Sequence, residues 1–286
     1  MITDKTTDTE WTTVVTAGKG NLLQEWNEML SYRGLIWMLV KRDWKTMYAQ
    51  TILGPLWIVI TAILSSSVLT LVFGKVADLS TDGVPQFLFY MAGNILWMDF
   101  SACISKLSGT FLSHANLMGK VYFPRICVPV AGIITRQIQF LIQFFVFLCV
   151  WFYYRKDLEF WQMSSRMLFI PGLFLELLLL AFGCGLILTS ITVKYRDFSV
   201  LVSFVIQIWM YLSPVVYPVS QVPVKLRTLF LCNPVAPVLE TWRAIWFGTG
   251  SIPWRALALS MIVTMIVLGI GLSVFQKTQR AFADRI

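Results

Sequence analysis

The sequence predicts an all-α integral membrane protein: six transmembrane helices preceded by an amphipathic interfacial helix. Three observations carry that reading. Of 286 residues, 57% are hydrophobic and 13% charged, with a mean hydropathy of +0.70, a balance foreign to ordinary soluble domains. Long uncharged stretches recur, the clearest being Leu56–Phe73. Directly before it, apolar and basic residues segregate to opposite faces of a helical pattern. The net charge of +8 comes largely from Lys and Arg beside apolar runs, which points to a membrane surface rather than to nucleic acid.

Residues 1–30 are polar, with early acids Asp4, Asp8 and Glu10. They lack the basic-then-apolar pattern of a signal peptide and read as a cytoplasmic extension with a short helix near Leu22–Leu30. In residues 31–51, Ile36, Trp37, Val40, Trp44, Met47 and Tyr48 share one face, while Arg42, Lys45 and Thr46 share the other. Trp and basic residues at such a boundary suit a helix lying in the membrane interface. Gly54-Pro55 then turns the chain, and Pro55 is placed to open the next helix.

The six-span membrane domain covers 52–286, with spans expected at about 55–73, 87–112, 126–153, 167–192, 200–217 and 256–275. The second carries Asp99 and Lys106, so its pattern is less clean. The RKDLE cluster at 155–159 ends the third. Then the pattern breaks: Pro214, Pro218, Pro223, Pro234, Pro237 and Pro253 interrupt a half-apolar stretch from Val215 to Trp254. Proline at that density cannot continue a spanning helix, and broken backbone at membrane depth needs protein or water around it. Short re-entrant or interfacial helices, such as Pro237–Phe247, are expected there. Six spans put both termini on one side. From Arg33 onward, Lys and Arg outside the spans number eleven on the terminal side and eight on the other, and the former crowd short segments, so both termini are expected in the cytoplasm.

Enzyme motifs are missing from the sequence. No HExxH, GxSxG or acidic metal pair stands out, and Ala17-Gly18-Lys19-Gly20 lacks the earlier glycine and following hydroxyl of a phosphate loop. No ATP hydrolysis by this chain is expected, and no catalytic residue, metal or cofactor of its own. The five cysteines have no CxxC spacing and read as reduced or membrane-buried thiols. His114, the single histidine, reads first as a solvated loop residue. Intramembrane charges are functional candidates. Asp99, Lys106, Arg136 and Glu176 are such charges. Asp99 and Arg136 lie at similar depth on consecutive spans, which suggests a pair; Glu176, among leucines, has no evident partner. Of the aromatics, Trp57, Trp97, Phe100, Phe204, Trp209, Tyr211 and Tyr217 fall in or near spans and could line a conduit with rings, set against ordinary lipid-facing packing.

Several stretches occur together in a telling order. They are YAQTILGPLW (48–57), NLMGKVYFPRICVP (116–129), VKYRDF (193–198), SPVVYPVSQVP (213–223), Asn233-Pro234 and ETWR (240–243). Over about 31–286 this set resembles the membrane subunit of type-2 ABC exporters for polysaccharides, the O-antigen, capsule and teichoic-acid permeases. The resemblance implies a homodimer in the bacterial inner membrane, working with two copies of a separate cytoplasmic ATPase that binds ATP and Mg. Its cargo would be a lipid-linked glycan, most readily O-antigen on a polyprenyl diphosphate. The segment Ser113–Arg125 matches the family's coupling segment, with Lys120, Tyr122, Phe123, Pro124 and Arg125 at the matching positions and His114 at its start. The interfacial helix, including Trp44, would also approach the ATPase. The first and fifth spans would line the conduit, and Arg42, Lys45 and Arg125 could draw the diphosphate to its entrance. Teichoic acid or capsule is an alternative cargo. A polyprenyl-phosphate sugar transferase would need acidic metal ligands that the sequence does not offer. A secondary transporter should show repeated halves with matching breaks, and none is visible.

Overall fold

The computed structural model describes residues 28–110, 113, 123–154, 165–195, 197–223, 225, 227, 230, 232–248 and 250–283, and the described elements are helices. In order they are α1 Arg33–Tyr48, α2 Leu56–Leu69 continuing as a π-helical segment Thr70–Val76, α3 Gln86–Ser108, α4 Cys127–Tyr154, α5 Ile170–Lys194, α6 Phe198–Leu212, α7 Val235–Phe247 and α8 Trp254–Ala283. Short 3-10 turns cover Ser165–Phe169 and Val219–Gln221.

Five of these stretches are long and apolar enough to cross a membrane: Leu56–Val76, Gln86–Ser108, Cys127–Tyr154, Arg166–Lys194 and Trp254–Gln279. The sixth expected span is shorter. Helix α6 has 15 residues, about 22 Å at ~1.5 Å per residue, against a hydrocarbon core of ~30 Å. It ends at Leu212 rather than 217. Pro214 forbids the helical conformation to the residue before it, and Ser213 is accordingly extended at ψ 146°. Helix α8 departs in the other direction: it runs on through the expected basic tail to Ala283, because QKTQRAFA holds no residue that breaks a helix.

Helix α3 is the centre of the bundle. It packs on α2, α4, α5, α6 and α7, and sixteen of its residues are buried. Helix α8 packs mainly on α5, where small residues bring the backbones together. A Cβ on Gly183 would meet the Leu268 backbone nitrogen at 2.8 Å, and one on Gly271 would meet Gly183 O at 2.5 Å. Such close approach is how membrane helices gain packing energy when no hydrophobic drive separates them from lipid. Hydroxyl contacts add to it. Thr189 of α5 donates to Leu107 O of α3 at 2.6 Å and Thr192 donates to Ser108 O at 2.5 Å. Asn94 of α3 donates to Ser65 and Ser66 of α2 at 2.7 and 3.2 Å.

Helix α7 is too short to span and is almost wholly buried. Trp246 packs edge-on against Phe147 and Trp151 of α4 and against Trp242 of its own helix. Trp151 donates its indole N–H to Trp246 O at 3.1 Å. Gly248 ends the helix in the left-handed conformation at φ 69°. Broken backbone is thus enclosed by protein, as the bilayer requires.

Candidate functional site

Helix α1 lies against α4, and its buried residues are Ile36, Leu39 and Val40. The expected apolar face is therefore rotated. Leu39 turns inward, whereas Trp37 is 53% exposed with the Lys41 ammonium 5.7 Å from its ring. Trp44 is half-buried, its ring 4.8 Å from that of Tyr48. The turn into α2 needs two left-handed residues, Gln50 at φ 63° and Gly54 at φ 51°.

Sequence reasoning passes over Asp43, because a lone acid in KRDWK reads as a solvated charge. In the fold it joins two elements. Lys106 of α3 reaches it at 3.0 Å and Arg42 at 2.9 Å. The Asp43 side chain is only 11% exposed. Burial raises its pKa, but bonds from Arg42 and Lys106 outweigh that and hold the carboxyl below its usual range. The Lys106 stem passes over Gly132 of α4, where an added Cβ would sit 3.4 Å from Lys106 Cγ. Lys106 is thus an anchor for the interfacial helix. One turn further on, the end of α1 meets α4 again: Gln139 donates to the Tyr48 hydroxyl at 3.0 Å and contacts the Met47 sulfur.

The expected Asp99–Arg136 pair does not form within the subunit. The ion pairs among the described residues are Arg42–Asp43 and Lys106–Asp43. Asp99 accepts instead from Gln137 Nε2 at 3.3 Å, with Cys103 Sγ at 3.8 Å. Arg136 turns along its own helix to Gln139. The reason is angular: adjacent residues on a helix point about 100° apart, so once Gln137 faces α3, Arg136 cannot.

Glu176, which has no evident partner in the sequence, is 2% exposed and accepts from Ser260 of α8 at 2.5 Å. The same hydroxyl reaches Pro234 O at 2.7 Å.

The coupling candidates divide. Lys120, Tyr122 and His114 lie outside the described residues. Phe123 is buried, Pro124 and Arg125 are half-buried, and Arg125 donates to Gln279 O near the end of α8. Burial holds the Arg125 pKa below its usual value. Of the other basic candidates, Arg42 is committed to Asp43 and Lys45 is exposed.

The aromatic candidates divide too. Trp57 of α2 and Phe204 and Tyr211 of α6 are 47%, 60% and 54% exposed. Trp209 packs inward on Trp97 and Phe100, with ring centroids 6.4 and 5.2 Å away, and donates to Asn233 Oδ1 at 3.0 Å. Tyr217 lies beyond α6 and donates to Tyr211 O at 2.9 Å.

The chain leaving α6 is held by the two charged residues of ETWR. Arg243 is 3% exposed. Its Nη1 donates to Pro214 O at 2.6 Å and its Nη2 to Val215 O at 2.5 Å, while its guanidinium lies 3.9 Å from the Phe89 ring centroid. Glu240 accepts from Val219 N at 3.0 Å. Asn233 completes the junction, donating to Ser213 Oγ at 2.8 Å and accepting from Val235 N at 3.2 Å at the start of α7. These motifs stand out in the sequence, but the partners they reach across 20 or more residues, main-chain carbonyls for Arg243, a main-chain N–H for Glu240 and the Ser213 hydroxyl for Asn233, carry no sequence signal.

A family model described as ABC-2 type transporter matches residues 34–247, the stretch from α1 through the last residue of α7. The chain belongs to the ABC-2 type transporter family. It is also similar along nearly its whole length to curated members. An O-antigen export system permease protein RfbA of Myxococcus xanthus is 28% identical over 265 residues, 91% of this chain and 98% of that protein. An RfbA of Klebsiella pneumoniae is 24% identical over 251 residues, 87% and 94% of the two chains. A capsule polysaccharide export inner-membrane protein CtrC of Neisseria meningitidis serogroup B is 22% identical over 261 residues, 88% and 94%. In this ABC-2 transporter chain the family match begins within α1, so that helix lies inside the matched stretch.

Proposed function

We propose that this chain is the permease subunit of an ATP-driven polysaccharide exporter in a bacterial inner membrane. The observation that carries the reading is the near full-length likeness to permeases whose names specify O-antigen and capsule export, joined to the family match over 34–247. The cargo is a glycan on a polyprenyl diphosphate, most simply O-antigen, since the RfbA relatives have the higher identities. The capsule relative supports a capsular glycan as the second reading. Two copies of the chain work with two copies of a separate cytoplasmic ATPase, which binds ATP and Mg. Both termini face the cytoplasm.

The geometry fits such a machine. Motion of the ATPase enters at α1 and at the segment ending in Arg125. From α1 it passes to α3 through Asp43 and Lys106; from Arg125 it passes to α8 through the Gln279 carbonyl. Helices α2 and α6 flank the central α3 and carry exposed aromatic residues, so a second copy packed against them would enclose a ring-lined path. Rings can stack on sugar C–H faces without gripping a polymer that must slide. Lys45 stands exposed beside the entrance, placed to draw the diphosphate.

Depletion of the protein in its host tests this. Full-length lipid-linked glycan should build up on the cytoplasmic side and vanish from the surface. Loss of polymer synthesis, or normal surface glycan, would reject the reading.

A further inference from the structure

The start of α5, the start of α8 and one side of α7 enclose a cleft of about 290 Å³. Leu173, Leu257 and the aliphatic part of Thr241 line it, and the Thr241 hydroxyl is already committed to Pro237 O at 2.7 Å. Phe169 and Trp254 stand at its mouth, about half exposed, with ring centroids 5.7 Å apart. In this apolar lining sits the Glu176 carboxyl, 2% exposed. Ser260 bonds Oε1. Among the described residues Oε2 has no donor, and no Lys or Arg lies within ion-pair reach of Glu176.

A carboxylate this deep is costly without a counter-charge. The protein supplies two aromatic faces, one carboxyl oxygen without a donor among the described residues and otherwise carbon, an arrangement suited to a small cation with apolar attachments: N–H donors for Oε2, and a positive charge that aromatic faces attract and that would keep the carboxyl ionised. The surfaces beside the cleft are apolar and uncovered, with Leu175, Leu259 and Ile262 each more than 40% exposed, so its mouth opens onto the lipid. The geometry points to a binding site for the ammonium headgroup of an aminophospholipid, held by Glu176 between α5, α7 and α8. Because Ser260 joins Glu176 to Pro234 O at the start of α7, an occupied site would brace the helix that holds the chain leaving α6.

The test needs neither glycan nor ATPase and so stands apart from the export reading. Purified full-length protein in detergent is mixed with phosphatidylethanolamine or with phosphatidylglycerol of the same acyl chains. Retained lipid is counted by native mass spectrometry and the thermal midpoint is followed. Phosphatidylethanolamine should be retained several-fold over phosphatidylglycerol and should raise the midpoint more. In Glu176→Gln, which keeps the shape of the side chain, the preference should fall to about one. Ala258→Trp, at an exposed position lining the cleft, should block retention with the carboxylate intact. Equal retention of the two lipids by the wild type, or a preference that survives Glu176→Gln, overturns the assignment.

Discussion

Arg243 serves a purpose unusual for a buried cation: it satisfies backbone carbonyls where α6 stops. Removing it leaves Pro214 O and Val215 O buried without those donors. At ~1–3 kcal/mol for each buried polar group left unpaired, Arg243→Met is expected to cost roughly 3 kcal/mol and to lower the thermal midpoint markedly. Arg243→Lys should recover only part, since an ammonium cannot reach two carbonyls as a planar fork does. Gly93 is the other half of the arrangement. A Cβ there would lie 2.5 Å from Arg243 Nη2 and 2.8 Å from Val215 O, so Gly93→Ala should destabilise by displacing the guanidinium. The cycle decides the mechanism: Gly93→Ala should cost clearly less in the Arg243→Met background than in the wild type. Additive losses would mean that the two residues act separately.

At the scale of elements, magnitudes separate two kinds of interhelical contact. Asn94 bonds across to α2, but such bonds average only about 0.6 kcal/mol in membrane proteins, so Asn94→Leu should barely shift the midpoint. Gly183→Leu should shift it far more, because its neighbour is the α8 backbone, which cannot step aside as a side chain can. Helix α1 depends on charge. Asp43→Lys and Lys106→Asp should each loosen α1, seen as faster proteolysis or amide exchange over 33–48, and the double exchange should restore protection; no restoration would reject the bridge as the anchor. The pH sign follows from the lowered Asp43 pKa. Its contribution is fully present above the unfolded carboxyl value of about 3.9 and is lost as pH falls through the lower folded value. Protection of α1 should therefore be flat from about pH 8 to 5 and weaken only below about 4, and Asp43→Asn should abolish that dependence.

At the scale of the whole molecule, α3 is enclosed on nearly every side, whereas α2, α6 and α8 keep exposed apolar faces. The proposed dimer distinguishes among these faces. With the native cysteines replaced, Phe204→Cys on α6 should cross-link to a second copy under mild oxidation, while Ile262→Cys on α8 should not. The reverse outcome would place the partner on the other side of the bundle. In the proposed machine, motion entering at α1 would reach the interior because Lys106 belongs to the helix that touches most of the others.

Hydropathy, proline density and motif order determined by themselves the all-helical membrane class, the interfacial helix and the family. Each depends on short-range pattern, and a bilayer leaves backbone few choices besides helix. The end of α6 was also written locally, in the proline that follows Ser213, although the span was expected to run on to 217. Tertiary structure alone decided the partners. Whether Asp99 met Arg136 or Gln137 turned on the rotation of α4 about its axis, which residue spacing along α3 and α4 does not set. Lys106 found Asp43, 63 positions away, because α1 packs beside α4 with Leu39 inward. Glu176 acquired Ser260 because the glycine contacts of α5 and α8 fix how those helices lie together. Periodicity says which residues share a helix face; only packing says what that face meets.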